Sequence, residues 1–77
     1  MRIQVECTRD ARGDEVPARL GFDGRSVAVA EVLDRWPGED YRYLKVRGED
    51  GALYILRHDE AHAAWELTMF QRRPATI

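Results

Sequence analysis

Four groups of residues in this chain have the types and spacing that chemistry needs. They are the histidine pair in His58-Asp59-Glu60-Ala61-His62, the single cysteine Cys7, the carboxylates Glu31 and Asp34 close to Trp36, and the alternation Tyr41, Tyr43, Lys45, Arg47. Two histidines four apart hold a catalytic metal when a helix brings their imidazoles together and a glutamate directly follows the first. Here Asp59 stands in that second position and the segment is a short link between strands, so it reads as a charged, solvated turn. His58, Asp59 and His62 suit adventitious metal at most, and no metal site or cofactor is assigned.

Cys7 falls on the apolar side of an alternating stretch with no histidine beside it, the pattern of a buried, inert thiol rather than a nucleophile. Ser26 and Thr68 lack the flanking residues of an activated hydroxyl. Acid–base work by Glu31 or Asp34 would require an enclosed pocket to hold one of them protonated. A chain this small rarely builds one, and a structural ion pair of Asp34 with Arg25, Arg35, Arg42 or Arg57 is the expectation. No catalytic residue is assigned, and the chain is read as a non-enzyme.

The alternation at 41–47 is the strongest remaining signal. On a strand it places Tyr41, Tyr43, Lys45 and Arg47 on one face, with Phe70, Arg72 and Arg73 as possible extensions. Such a surface can stack single-stranded bases beside cations, but tyrosine and arginine are equally the residues of protein contacts. A protein partner or a second copy of the chain is expected ahead of nucleic acid, and no small-molecule substrate is implied. Trp36, before Pro37-Gly38, reads as a plug at the end of the core beside Trp65, or else as an anchor for a partner.

The elements that would position these residues are mostly strands. Residues 3–7 alternate Ile3, Val5 and Cys7 against polar neighbours, and 16–22 form a short strand with Pro17 near its start. Asp23-Gly24 is a hairpin turn. Residues 25–36 have two readings: a helix within 28–36, or a long strand with a β-bulge near Ala30-Glu31 that returns Val32, Asp34 and Trp36 to one face. The strand is preferred because its neighbours are strands. Residues 41–47, 52–58 and 64–70 complete the set, separated by Pro37-Gly38, Gly48-Glu49-Asp50-Gly51 and the histidine-containing turn.

The expected fold is all-β: five or six antiparallel strands in a meander, curled into a small open barrel or roll of SH3-like form. Val5, Val27, Val29, Val32, Leu44, Val46, Ile55, Trp65 and Leu67 supply the expected core. With 77 residues, residues 1–71 make one domain and 72–77 read as a flexible tail. A net charge of -2 argues against binding nucleic acid by bulk electrostatics, although a local basic face remains open. One cysteine excludes an intrachain disulfide and makes the cytoplasm the expected compartment. The polar first residues do not resemble a signal peptide, and no apolar run nears the roughly 20 residues that span a bilayer.

The runs EVLDRW at 31–36, YRYLKVRGEDGALYILRHD at 41–59 and WEL at 65–67 resemble a family of small bacterial proteins. A similar pattern occurs in the C-terminal appendage of some inactive Y-family polymerase-like proteins of mutagenic repair. The likeness extends from about Pro17 to Phe70, while the tryptophan that precedes the turn in that pattern is missing here. It implies an accessory binding role in DNA damage tolerance and brings no catalytic residue with it.

Overall fold

A computed structural model describes residues 1–71 of the chain. Its strands are β1 (Arg2–Arg9), β2 (Glu15–Phe22), β3 (Arg25–Pro37), β4 (Arg42–Gly48), β5 (Leu53–Asp59) and β6 (Ala64–Gln71). They follow one another in an antiparallel meander that closes as a barrel where β6 meets β1. There is no helix among the described residues, so 25–37 is strand throughout. No helix among the described residues is long and apolar enough to cross a membrane. The tail expected at 72–77, with Arg72 and Arg73, lies outside the described residues.

The turns are local consequences of residue type. Asp23 and Gly24 both take positive φ, 51° and 69°, in a two-residue loop between paired Phe22 and Arg25. That is the primed turn whose twist matches the flanking strands. In the first hairpin Asp10 Oδ1 accepts from the Arg12 and Asp14 N–H groups, at 2.9 and 3.0 Å, while Gly13 supplies a φ of 85°.

The core is Ile3, Leu20, Val27, Leu44, Val46, Ala52, Tyr54 and Leu56, with Val5, Phe22, Val29, Val32, Trp65 and Leu67 packed around it. Ile55, expected inside, is on the outer surface instead. The run Leu53–Leu56 is apolar on both faces, and it is Tyr54 and Leu56, 1% and 0% exposed, that point inward. Tyr54 closes one end of the barrel between Phe22 and Phe70, at ring distances of 6.0 and 5.1 Å. Its hydroxyl donates to Asp50 Oδ2 at 2.5 Å, and Asp50 Oδ1 accepts the Ala52 N–H at 3.0 Å.

Closure is uneven along the barrel. β1 pairs with β6 only through Arg2↔Glu66 and Ile3↔Trp65, supplemented by Met1 bonding to Leu67. β2 pairs with β3 only from Arg19↔Ala28 to Phe22↔Arg25. The distal β1–β2 hairpin therefore projects as a two-stranded ribbon, and β3 leaves β2 to continue along β4 alone. Cys7, expected to be buried, is exposed: it lies just past the β1–β2 register shift between Glu6 and Cys7 and beyond the two residues of β1 that pair with β6.

Candidate functional site: the outer face of β3–β6

Strand register decides which side chains share the outer surface, because residues directly paired across a ladder project to the same side. Leu44 and Val46 face the core, so Tyr43, Lys45 and Arg47 face out. Across β3 their partners are Trp36, Asp34 and Glu31, and across β5 they are Arg57, Ile55 and Leu53. β6 continues the first two rows with Glu66 and Met69.

Bulges moved several residues away from the faces their spacing suggested. The β3–β4 register shifts twice, between Val29 and Glu31 and again between Val32 and Asp34. The first shift is the expected one. The second, which leaves Leu33 as the extra residue, keeps Val32 inward but turns Asp34 and Trp36 outward. Trp36 thus does not plug the core beside Trp65; its ring stacks on Tyr43 at 5.6 Å and 6° between planes, 36% exposed. In β6 a shift between Ile55↔Met69 and Leu56↔Leu67 has the opposite consequence for Phe70. Phe70 pairs with Tyr54 and belongs to the barrel end, apart from Tyr41, Tyr43, Lys45 and Arg47.

Tyr41 precedes β4 and reaches the same outer surface by lying over Arg57, whose guanidinium carbon is 4.5 Å from the ring centroid. Arg57 Nη2 donates to Glu66 Oε2 at 2.6 Å, and this hydrogen bond, against some cost of burial, holds the guanidinium more firmly protonated. Its Nε is buried without a partner among the described residues. Gly38 sets the aromatic edge. Its N–H donates to the Tyr41 carbonyl at 2.6 Å, and a Cβ there would lie 2.5 Å from Tyr43 Cε2.

Two of the three cations on this face are answered in place. Arg47 bonds Glu31 at 2.6 Å, Arg57 bonds Glu66, and Lys45 stands opposite Asp34 across the ladder. Asp34 therefore forms none of the arginine pairs expected of it; its Oδ1 accepts the Arg35 N–H at 2.8 Å. Between these pairs lie apolar residues that alternation alone did not place here, Ile55 and Leu53, together with Met69, which is 60% exposed. The signal for them is the cross-strand register, which a single strand does not display.

A concavity of about 550 Å³ opens where the β1–β2 ribbon and β3 diverge. Its lining includes Asp14, Glu15, Arg35, Arg42, Leu44, His58, Glu60 and Trp65. His58 lies flat on Trp65 with ring centroids 3.9 Å apart, and Arg42 bonds Glu60 at 2.7 Å. His62 sits in the following turn, where its Nδ1 and N–H contact Asp59 at 2.7 and 3.2 Å; the hydrogen bond holds the Asp59 carboxyl below its ordinary range. The two histidines thus serve different contacts, and among the described residues no three His, Cys, Asp or Glu side chains gather as metal ligands would. Glu31 and Asp34 are outside this cleft. Ser26 accepts from Arg19 at 3.1 Å, and Thr68 donates to the Ile55 carbonyl at 3.1 Å.

No protein-family model matches the chain, and neither a curated protein nor a solved structure matches it.

Proposed function

We propose that this domain is a non-catalytic module that binds another protein through the outer face of β3–β6, with Trp36, Tyr41 and Tyr43 as its anchors. The observation that carries the reading is the combination of an exposed aromatic stack with cations already matched by carboxylates. Binding single-stranded nucleic acid draws its affinity from cations that release counterions from phosphates, and here Arg47 and Arg57 are set against Glu31 and Glu66. An oligonucleotide would have to displace those carboxylates before gaining its own contacts. A protein surface needs no such exchange. It gains from covering Trp36, Tyr43, Ile55 and Met69, with the paired charges as a polar rim.

The likeness of 31–59 to the polymerase-linked appendage supports a partner within a repair assembly. The test is selection of binders from a random-peptide display against the immobilised domain, followed by affinity measurement on a Tyr41→Ala/Tyr43→Ala variant whose fold is checked by circular dichroism. The expected result is a loss of at least tenfold in affinity for the selected peptides with the fold intact. Unchanged affinity in the folded double variant overturns the assignment of the face.

A further inference from the structure

Strand register places cations on the core side of the sheet at one end of the barrel. Arg35 pairs with Leu44, which pairs with Leu56, and both leucines are buried. In the next row on that side Arg42 is followed by His58, Trp65 and the buried Ile3. Charged side chains are tolerated on the core side here because β2 has parted from β3 beyond Arg19↔Ala28, which leaves the barrel mouth open to water. That mouth is the cleft of about 550 Å³. Ligand sites form in barrel mouths and hold about 300–1,000 Å³.

The cleft recognises through side chains. Pro17 and Pro37 have no N–H and the Arg35 N–H is held by Asp34, so neither strand edge offers an unbroken row of donors. The side chains themselves are sorted by charge. Leu44 is the one buried residue of the lining and forms the floor. Arg35 stands beside it and has no ion pair among the described residues, whereas Arg42 is answered by Glu60 at 2.7 Å. His58 and Trp65 lie flat on one another, 5° between planes, and both line the cleft. On the facing ribbon Asp14 and Glu15 are likewise without an ion pair among the described residues, and Arg9, opposite Glu15, donates to the Gly13 carbonyl instead. The two walls are close enough to interact. The Asp10 carboxyl, on the ribbon, is held below its ordinary range first by the Asp14 N–H and, among weaker causes, by the charge of Arg35.

Two guanidiniums and three carboxylates line this space, so a bare anion is repelled from the ribbon and a bare cation from Arg35 and Arg42. A dipolar occupant satisfies both walls: negative at the floor, aromatic along His58–Trp65, positive at the ribbon. A chain that enters a cleft with a closed floor ends there, and the floor is where Arg35 stands. We infer that the cleft captures the C-terminal end of a partner chain. The terminal carboxylate lies on Arg35, an aromatic last side chain lies against the His58–Trp65 pair, and a basic residue shortly upstream faces Asp14 and Glu15. The site goes beyond the outer face, because Arg35, Arg42, His58 and Trp65 project to the other side of the sheet from Tyr43 and Lys45.

The test uses the full chain, labelled with 15N, and the tripeptide acetyl-Lys-Ala-Phe with a free carboxylate, titrated to millimolar concentration. Three analogues each remove one group: a C-terminal amide, norleucine in place of the lysine, and alanine in place of the phenylalanine. The expected result is shifted resonances of Arg35, His58 and Trp65, including the Trp65 indole N–H. The amide and the alanine analogue should bind at least fivefold more weakly, and the norleucine analogue about twofold more weakly, as an exposed ion pair allows. In Arg35→Gln the acid and the amide should bind alike. Arg35 is exposed, and the dispersion of the spectrum checks that the variant folds. Unmoved resonances at Arg35, His58 and Trp65, equal binding by acid and amide, or an amide effect that persists in Arg35→Gln overturns the proposal. Free phenylalanine binding as tightly as the tripeptide also overturns it, since the occupant is then a small zwitterion and not a chain end. A footprint confined to Tyr41, Lys45 and Ile55 overturns it and leaves the outer-face reading standing. If Tyr41→Ala/Tyr43→Ala leaves display-selected peptides bound while the tripeptide still depends on Arg35, the outer-face reading fails and the terminus site stands.

Discussion

Gly48 ends β4 at the point where the barrel is most tightly filled, and Gly48→Ala tests the packing there. A Cβ on Gly48 would lie 2.5 Å from Asp50 Oδ1, 2.8 Å from Val27 Cγ1 and 3.0 Å from Tyr54 Cε2. Asp50 is a surface side chain, but its carboxylate is held by Tyr54 and by the Ala52 N–H, and Val27 and Tyr54 are buried. Relief therefore means shifting the core or breaking the Asp50–Tyr54 bond. Overpacking of this kind costs about 1–3 kcal/mol and a lost hydrogen bond about 1 more, giving about 2–4 kcal/mol. A domain of this size holds only about 4–11 kcal/mol in total. The thermal midpoint should fall by about 10–25 °C, and the urea midpoint by about 2–4 M with an unchanged slope near 1 kcal/mol/M. Gly21→Ala is the control: the nearest atom its Cβ would meet is Gln4 Cβ at 3.7 Å, an ordinary contact, so it should match the wild type within about 0.5 kcal/mol or exceed it. If Gly48→Ala melts within 3 °C of the wild type, the packing account of this barrel end is wrong.

Other consequences concern titration, accessibility and the aromatic edge. Burial first, and then its bond to Asp50, pushes the Tyr54 pKa up to about 12, while the unfolded chain deprotonates near 10. The unfolded state therefore binds fewer protons between these values. Stability should fall by up to about 2.5 kcal/mol as pH rises from 10 to 12, and urea titrations of Tyr54→Phe should lack that component. Cys7 should label with a maleimide in the native state without denaturant, and faster at pH 9 than at pH 7, because partial burial and then Glu15 hold its thiol above the ordinary range; labelling that requires unfolding would contradict the projecting ribbon. Gly38→Ala should push Tyr43 off Trp36, reducing the near-ultraviolet circular dichroism of the stack at a stability cost of about 1–3 kcal/mol.

Strand positions were readable in the sequence because turn chemistry punctuates them. Asp23-Gly24, Pro37-Gly38 and Gly48-Glu49-Asp50-Gly51 fall at or beside strand ends, and alternation identifies the strands between. The inward side of β4 was readable for the same reason. Where a strand is apolar on both sides, as at Leu53–Leu56, alternation selects neither face, and packing around Gly48 and Phe22 selects Tyr54. Bulges hide more. One extra residue at Leu33 moves Trp36 and Asp34 to the outside, and the shift beside Thr68 sends Met69 out and Phe70 in, so half of the outer face depends on register that only the paired strand reveals. Cys7 illustrates a third limit. Neither the register shift beside it nor how far β6 extends to cover it follows from alternation.

The protein-binding reading depends on the outer face preferring apolar contact to phosphate, and one comparison addresses that directly. The 15N-labelled domain is titrated separately with a display-selected peptide and with a 12-nucleotide single-stranded DNA, at about 0.15 M salt and again at about 0.02 M. The peptide should shift Trp36, Tyr41, Tyr43, Lys45 and their β5 neighbours at both salt concentrations, and the DNA should leave them unmoved at the higher one. Shifts of the same residues by DNA at about 0.15 M salt, weakening steeply as salt rises, with no peptide footprint there, would contradict the account and make the face a nucleic-acid surface.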